Sequence, residues 1–198
     1  MLDERSDELA ASILAPLSER QRERLVAAMG DVTRLLTASM VEVSIVDPRQ
    51  PDAQYCLRSY LDELGERFDF DHTRSISADN AELTLPAGLL LVATLHSTPV
   101  GCGALKLHGD EPAEIKRMWV SPDARGLGLG RRLLAELERE AAAKGASVVR
   151  LETNRSLVEA IGLYRAAGYT EVPAFNAEPY AHHWFEKSLK TPRGGWRA

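Results

Sequence analysis

The stretch Met118-Trp-Val-Ser-Pro-Asp-Ala-Arg-Gly-Leu-Gly-Leu-Gly-Arg-Arg-Leu-Leu134 decides how this chain is read. A strand is predicted over Glu114 to Val120, entering a short turn at Ser121-Pro122-Asp123. Arg125-Gly126-Leu127-Gly128-Leu129-Gly130 follows, and then a helix with leucines at 129, 133, 134 and 137. Alternating glycines let backbone N–H groups close on an anionic group with no Cβ in the way. The helix N-terminus adds N–H groups without intrahelical partners and a partial positive charge. Arg125, Arg131 and Arg132 add formal charge, so the stretch reads as a pyrophosphate cradle. A Gly-rich connector with no ligand is the plain alternative.

Three cradle patterns compete. A P-loop needs Lys and then Ser or Thr after its last glycine; Arg131 and Arg132 stand there instead. The dinucleotide fingerprint needs glycine at position 131 and places its glycines directly at the strand end. Here position 131 is Arg, and Ser121 to Arg125 intervene, although Glu152 ends the next strand where a ribose-binding acid belongs. The third pattern, R/Q-x-x-G-x-G/A after a strand, is matched by Arg125, Gly128 and Gly130. It is the coenzyme A pyrophosphate loop of the GNAT superfamily of N-acetyltransferases, which the chain resembles. Ala160-Ile-Gly-Leu-Tyr164-Arg-Ala-Ala-Gly168-Tyr169 resembles that superfamily's A-x-x-L-Y-x-x-x-G-[FY] segment. The resemblance runs from about Val41 to Leu189 and is carried by two motifs in the right order.

Composition agrees with one domain plus an appendage. The 198 residues are 44% hydrophobic and 27% charged, as expected of a globular chain with a full core. No apolar run approaches the ~20 residues of a membrane span, and Met1-Leu-Asp-Glu-Arg does not read as a signal peptide. Cys56 and Cys102 lack metal-ligand spacing and read as buried free thiols, so a cytoplasmic location is expected. The net charge of -5 argues against a nucleic-acid surface. Lys116 to Arg132 holds five basic residues and one acid, which suits an anionic cofactor. Arg58 to Glu82 holds seven acids against three arginines, and is either a wall for a cationic acceptor or a solvated face.

Along the chain, Ser18 to Gln21 reads as a capping box opening a helix with Leu25, Met29, Val32 and Leu36 at helical spacing. Val41 to Val46 reads as a strand. A helix opening at Pro51-Asp52 carries the stripe Leu57, Tyr60, Leu61, Leu64 and Phe68. Residues 69 to 87 read as an irregular loop. Leu89 to Leu95 and Val100 to Leu107 form a predicted hairpin around His96 to Pro99. The helix from Gly128 ends at Gly145; a strand over Val148 to Thr153, a helix over Ser156 to Ala167, and strands over Tyr169 to Phe175 and His182 to Leu189 follow. The order predicts an α/β (α+β) fold with a mixed, mostly antiparallel sheet and a right-handed crossover. The domains expected are an N-terminal helical extension over 1–38, an acetyltransferase domain over 39–190 and a disordered tail over 191–198.

The resemblance implies a sheet splayed at the fourth strand, helices on both faces, and a set of roles. Tyr164 would be the general acid for the departing thiolate, and its position on the stripe of Leu157, Ala160 and Ile161 also suits a core aromatic, a compatible role. Glu114, followed by Ile115, would be the general base, or a surface carboxylate paired with Lys116 or Arg117. The Met118 N–H would face the thioester carbonyl, and Val120 would pair with the pantetheine amides. The backbone from Arg125 through Gly126, Leu127, Gly128 and Leu129 to Gly130 would hold the pyrophosphate, with Arg131 at a phosphate. Leu157 stands where many relatives carry a cofactor-contacting Asn. Asn154 would substitute for it or cap the next helix.

Strand alternation predicts Glu114, Lys116, Met118 and Val120 on one face and Ile115, Arg117 and Trp119 on the other. The adjacent His182 and His183 point to opposite sides, so no metal is expected. Trp119, Tyr180 and Trp184 line an acceptor pocket or simply pack.

The N-terminal helix resembles the last helix of MarR-type repressors, without the helix-turn-helix, so no DNA binding is expected and a homodimer is one way to cover its stripe. The reading is an acetyl-CoA-dependent N-acetyltransferase acting on a small-molecule or peptide amine, with no metal, nucleic acid or membrane partner. A CoA-binding module without turnover is the alternative. Asp69, Asp71 and Glu82 are the expected acceptor-side acids.

Overall fold

The computed structural model describes residues 9, 11–68 and 80–189, which fall into two compact units, Met1–Met40 and Val41–Ala198. The expected tail, 191–198, and Asp69 and Asp71 lie outside the described residues.

In the first unit, α1 (Glu19–Ser39) opens where the capping box was expected. The Gln21 side-chain oxygen accepts from the Ser18 N–H at 2.8 Å and from its hydroxyl at 2.9 Å. No residue of α1 is buried. Val26, Met29, Val32, Leu35 and Leu36 are each more than half exposed.

In the second unit the order is β1 (Val41–Ile45), α2 (Pro51–Arg67), β2 (Gly88–Leu95), β3 (Thr98–Lys106), β4 (Ala113–Val120), α3 (Leu129–Ala143), β5 (Val148–Thr153), α4 (Val158–Ala166), β6 (Thr170–Val172) and β7 (His183–Ser188). One sheet of seven strands runs β1-β2-β3-β4-β5-β7-β6. All neighbours are antiparallel except β4 and β5. Side chains alternate along β2, and this splits the core. Leu89, Leu91 and Ala93 join Leu133, Leu134 and Leu137 of α3 and Ile161 and Tyr164 of α4. Leu90 and Val92 pack with Ala53, Cys56 and Leu57 of α2 on the other face. Each fully buried leucine contributes about 1.5–3 kcal/mol by transfer from water.

Beyond shortened element ends, such as β6 at Thr170–Val172 where Tyr169 to Phe175 was expected, two local details differ from the sequence reading. The hairpin turn is two residues, His96 and Ser97, both with positive φ (49° and 63°), rather than four. Such a turn matches the right-handed twist of its strands. β3 therefore restarts at Thr98, and Pro99 pairs with Thr94 beside a register shift, the sort of irregular position where a missing N–H is tolerated.

The second difference lies in β4. Its expected alternation fails at Arg117, which has φ +56°. Cys102 pairs with Trp119 but Ala104 pairs with Lys116, so Gly103 faces both Arg117 and Met118 in a β-bulge. Ile115 lies in the α3–α4 core and Trp119 in the α2 core, although the sequence reading put them on one face. Met118 packs against Ile115's core. A Cβ at Gly103 would approach the Met118 sulfur and Leu137 at 2.8 Å, so glycine is what admits the bulge opposite it. Pairing of β4 with β5 is confined to Ala113–Val149 and Glu114–Arg150. Beyond these the two strands diverge, and the gap opens the site.

Candidate active site

The cradle forms where the glycines were read. Gly126 and Gly128 have φ of +82° and +75°, a region that costs any L side chain about 1–2 kcal/mol. A Cβ at either would meet nothing within 4 Å, so conformation rather than crowding requires glycine. Gly128 caps α3, and the Arg132 N–H donates to its carbonyl at 3.1 Å. The N–H groups of Leu129, Gly130 and Arg131 precede that first helical bond and have no acceptor within the helix, an arrangement that suits an anion. The residues present therefore fit a pyrophosphate.

The loop lines one end of a cleft of about 530 Å³, together with Met118, Val120, Leu129, Arg131 and Tyr164. Arg125, Gly126, Gly128 and Gly130 line it too, whereas Leu127 packs against the core. A second, more enclosed cavity of about 250 Å³, the inner cavity, adjoins it. Met118, Tyr60, Leu64, Leu157, Ala160 and Tyr164 line both, so the two spaces meet where β4 and β5 diverge.

Tyr164 stands at that junction. Its ring lies 5.9 Å from Phe185 and 6.0 Å from Tyr169, so it is a core aromatic. Among the described residues its hydroxyl has no hydrogen-bond partner. Burial pushes its phenol well above the ordinary tyrosine range, which keeps the proton on. Packing and proton donation are thus compatible in one residue.

The inner cavity carries charge of both signs: Lys106, Lys116 and Arg117 against Glu82, Glu152 and Glu178. Glu82 is held by Lys106 at 2.9 Å. Lys116 is ion-paired to Glu152, whose side chain is only 9% exposed, and lies 3.4 Å from Glu114. Burial pulls the Lys116 pKa down, but these carboxylates outweigh it and raise the pKa. Glu152 also receives the Asn176 amide at 3.4 Å.

Other expected residues sit elsewhere. Glu114 lines neither cavity; it faces Lys116 and, at 3.7 Å, His108. Asn154 lines the inner cavity rather than the larger cleft. Its amide donates to the Tyr180 carbonyl at 2.8 Å and its oxygen accepts from the Ser156 N–H at 2.9 Å, fixing the β5–α4 loop. Tyr180 lines the inner cavity, while the Trp184 indole donates to Asn176. His183 faces Glu171 at 2.6 Å, and the described residues contain no cluster of metal-ligating side chains.

Sequence reasoning overlooked Glu63. Its carboxylate accepts from the Trp119 indole at 3.1 Å and pairs with Arg125 at 2.7 Å and Arg67 at 3.0 Å. Arg67 in turn reaches Glu159 of α4 at 2.8 Å. This chain of charges spans the larger cleft from α2 to the cradle and to α4. Its i,i+4 relation to Arg67 was visible in the sequence; the reach to Arg125, far along the chain, was not.

Comparison with known proteins accords with this geometry. The model of the acetyltransferase (GNAT) family matches residues 54–169, which run from within α2 through the cradle and Tyr164. An IAA acetyltransferase of Azospirillum brasilense is 42% identical over 103 residues, covering 52% of this chain and 66% of that one. The chain thus spans about two thirds of that relative. A crystal structure from Klebsiella pneumoniae, described as an acyl-CoA N-acyltransferase, superposes with a TM-score of 0.63 at 28% identity, covering 76% of this chain and 99% of that one. A Salmonella typhimurium protein solved with acetyl-CoA has a TM-score of 0.60 at 17% identity, covering 78% of this chain and 96% of that one. A glycine cradle on a splayed β4, a tyrosine at the junction and a family match over more than half the chain lead to one conclusion: the chain belongs to the GNAT family of N-acetyltransferases.

Proposed function

We propose that this acetyltransferase moves the acetyl group of acetyl-CoA to a small primary amine held in the inner cavity. The observation that carries the reading is the meeting of the two cavities at Met118 and Tyr164. Acetyl-CoA supplies an activated acyl group as its thioester. The backbone of Arg125 to Gly130, with Arg131 beside it, holds the pyrophosphate, and the Val120 backbone holds the pantetheine arm. The Met118 N–H lies on the strand that diverges from β5 and serves the thioester carbonyl oxygen. Glu152 takes a proton from the acceptor ammonium, freeing the nitrogen lone pair for attack. Tyr164 gives its proton to the departing sulfur and regains one from the nitrogen through solvent. We prefer Glu152 to Glu114 as base because only Glu152 lines the cavity.

For α1, pairing with a second copy is the reading favoured by its exposed stripe. Val32→Glu should then lower the mass seen in sedimentation. Buried free thiols at Cys56 and Cys102 support a reducing, cytoplasmic setting, and no described helix is long and apolar enough to cross a membrane.

The test is calorimetry with CoA and NAD, followed by acetyl-CoA with pooled amines read by mass. CoA heat without NAD heat, together with an acetylated amine, is expected. Glu152→Gln should lower kcat on the order of 10²-fold or more and leave CoA affinity unchanged. NAD heat without CoA heat would overturn the reading, and CoA binding without any acetylated amine would favour a binding module.

A further inference from the structure

Pairing between β4 and β5 ends at Glu114 and Arg150. Two residues further along each strand stand Lys116 and Glu152. In a continued parallel ladder these two positions would face each other. The backbones have parted there, and the side chains cross the gap in place of the ladder, with the Lys116 ammonium ion-paired to the Glu152 carboxylate. The pair is sheltered, its side chains 22% and 9% exposed. Glu114, at 3.4 Å, is the second partner of the ammonium.

This places an amine where the acceptor's amine belongs. Under the proposed mechanism Glu152 receives the acceptor ammonium and takes its proton. The ammonium that Glu152 holds here is the chain's own. Lys116, Glu152, Met118 and Tyr164 all line the one inner cavity, and the last two also line the cofactor cleft. Met118, assigned to the thioester in that reading, is two residues beyond Lys116 on β4. A lysine nitrogen rides on a flexible four-carbon stem, so it can swing toward the junction with no backbone movement. Lys106, the other lysine lining the cavity, lacks this relation. It is held by Glu82 at 2.9 Å, a carboxylate 47% exposed, and its strand does not border the gap.

Building on the acetyltransferase reading, we infer that Lys116 is itself an acceptor: when no small amine is present, the protein acetylates its own Lys116 and closes its inner cavity. Glu152 takes one proton from the Lys116 ammonium. The freed lone pair bonds to the acetyl carbonyl carbon as the carbon–sulfur bond breaks. Tyr164 gives its proton to the sulfur and regains the second proton of the nitrogen through solvent. The products are CoA and an Nε-acetyl-lysine, with the Glu152 proton released to water. The new amide has no charge for Glu152, and its acetyl group fills part of a cavity of only about 250 Å³. An acceptor amine displaces the Lys116 ammonium from Glu152 and consumes acetyl-CoA, so it protects the lysine.

The experiment incubates the full chain with acetyl-CoA, with and without an amine found in the pooled screen, and maps acetyl groups on its peptides by mass over time. Lys144, exposed at the end of α3, reports direct reaction with the thioester. Lys116 should be modified on the order of 10²-fold faster than Lys144, the scale of general base catalysis. Acceptor at about ten times its Kd should slow the modification about 10-fold by mass action. Wild type acetylated in advance should lose amine turnover in proportion to the fraction modified and keep its CoA affinity. Lys116→Arg keeps a cation at Glu152 that does not give up its proton, and should stay unmodified. The ratio of Lys116 to Lys144 needs no variant, so a misfolded Lys116→Arg leaves the inference open to refutation. Equal rates at the two lysines, or an acetylated pool amine with Lys116 untouched, overturns the inference while the acetyltransferase reading stands. Acetyl on Lys116 with no pooled amine modified supports the inference and overturns the small-amine acceptor. CoA binding with no acetyl transferred to either overturns both.

Discussion

Gly128→Ala offers a sharp test of the cradle because its control is built into the fold. Gly128 and Gly145 both have positive φ, +75° and +92°, and a Cβ at either meets nothing within 4 Å. Alanine at either position therefore pays only the conformational cost, about 1–2 kcal/mol. At about 2–4 °C per kcal/mol for a chain of this size, each variant should lose roughly 2–8 °C in Tm. Only Gly128 lines the cleft. There the new methyl stands where a phosphate must approach the α3 N-terminus. Losing one or two charge-assisted bonds, about 1.5–3 kcal/mol each, should weaken CoA by at least about 10-fold. Gly145 follows the other end of α3, and its variant should bind CoA as wild type does. Calorimetry with CoA and thermal unfolding of both variants decide the matter. Equal CoA affinity in wild type and a destabilised Gly128→Ala protein would refute the cradle, and so would an equal loss of affinity in Gly145→Ala.

Three further outcomes are expected. Tyr164→Phe keeps the ring contacts to Phe185 and Tyr169 and removes a hydroxyl without a partner among the described residues. Its Tm should therefore hold while kcat falls on the order of 10- to 1,000-fold. Burial raises the Tyr164 pKa, so the active, protonated form persists upward, and wild-type kcat should show no fall from its ionisation up to about pH 10. Unchanged kcat in the variant would make Tyr164 a core residue alone. Glu63→Gln removes the charge that orients Arg125 and Arg67, and should raise the CoA Kd about 3- to 10-fold with little loss of stability, since the pairs are partly exposed. A Kd equal to wild type would confine Glu63 to packing Trp119. Asp47, whose carboxylate accepts from the side chain and backbone N–H of Arg49, is lowered to about 2. A depressed carboxyl contributes stability that is present above its unfolded value of about 3.9 and lost as pH falls toward 2. Arg49→Ala should move its NMR titration upward toward the ordinary range, and an unmoved titration would discount the pair.

The sequence by itself determined what depends on near neighbours. The capping box at Ser18, the glycines of the cradle, the leucine stripe of α3, and the order of strands and helices all rest on spacings of one to four residues. Backbone sterics and helical periodicity turn such spacings into structure whatever else surrounds them. The place of Tyr164 on α4 was legible for the same reason, since its motif is contiguous.

Only the tertiary structure decided what depends on register between distant segments. The bulge at Arg117 exists because Gly103, on another strand, yields space to Met118 and Leu137. No reading of β4 alone contains that glycine, so alternation placed Trp119 and Met118 on the wrong faces. In sequence Glu152 read as a strand-end acid, and Glu114 as either a base or a surface carboxylate paired with Lys116 or Arg117. The divergence of β4 from β5 after Glu114 opens the gap at which Glu152 meets the cavity and leaves Glu114 behind. Glu63 and Arg125 likewise meet across the cleft because the sheet sets α2 opposite the cradle. Charges far apart in the chain carry no local signature, and it is the packing of helices on the sheet that brings them within hydrogen-bonding reach.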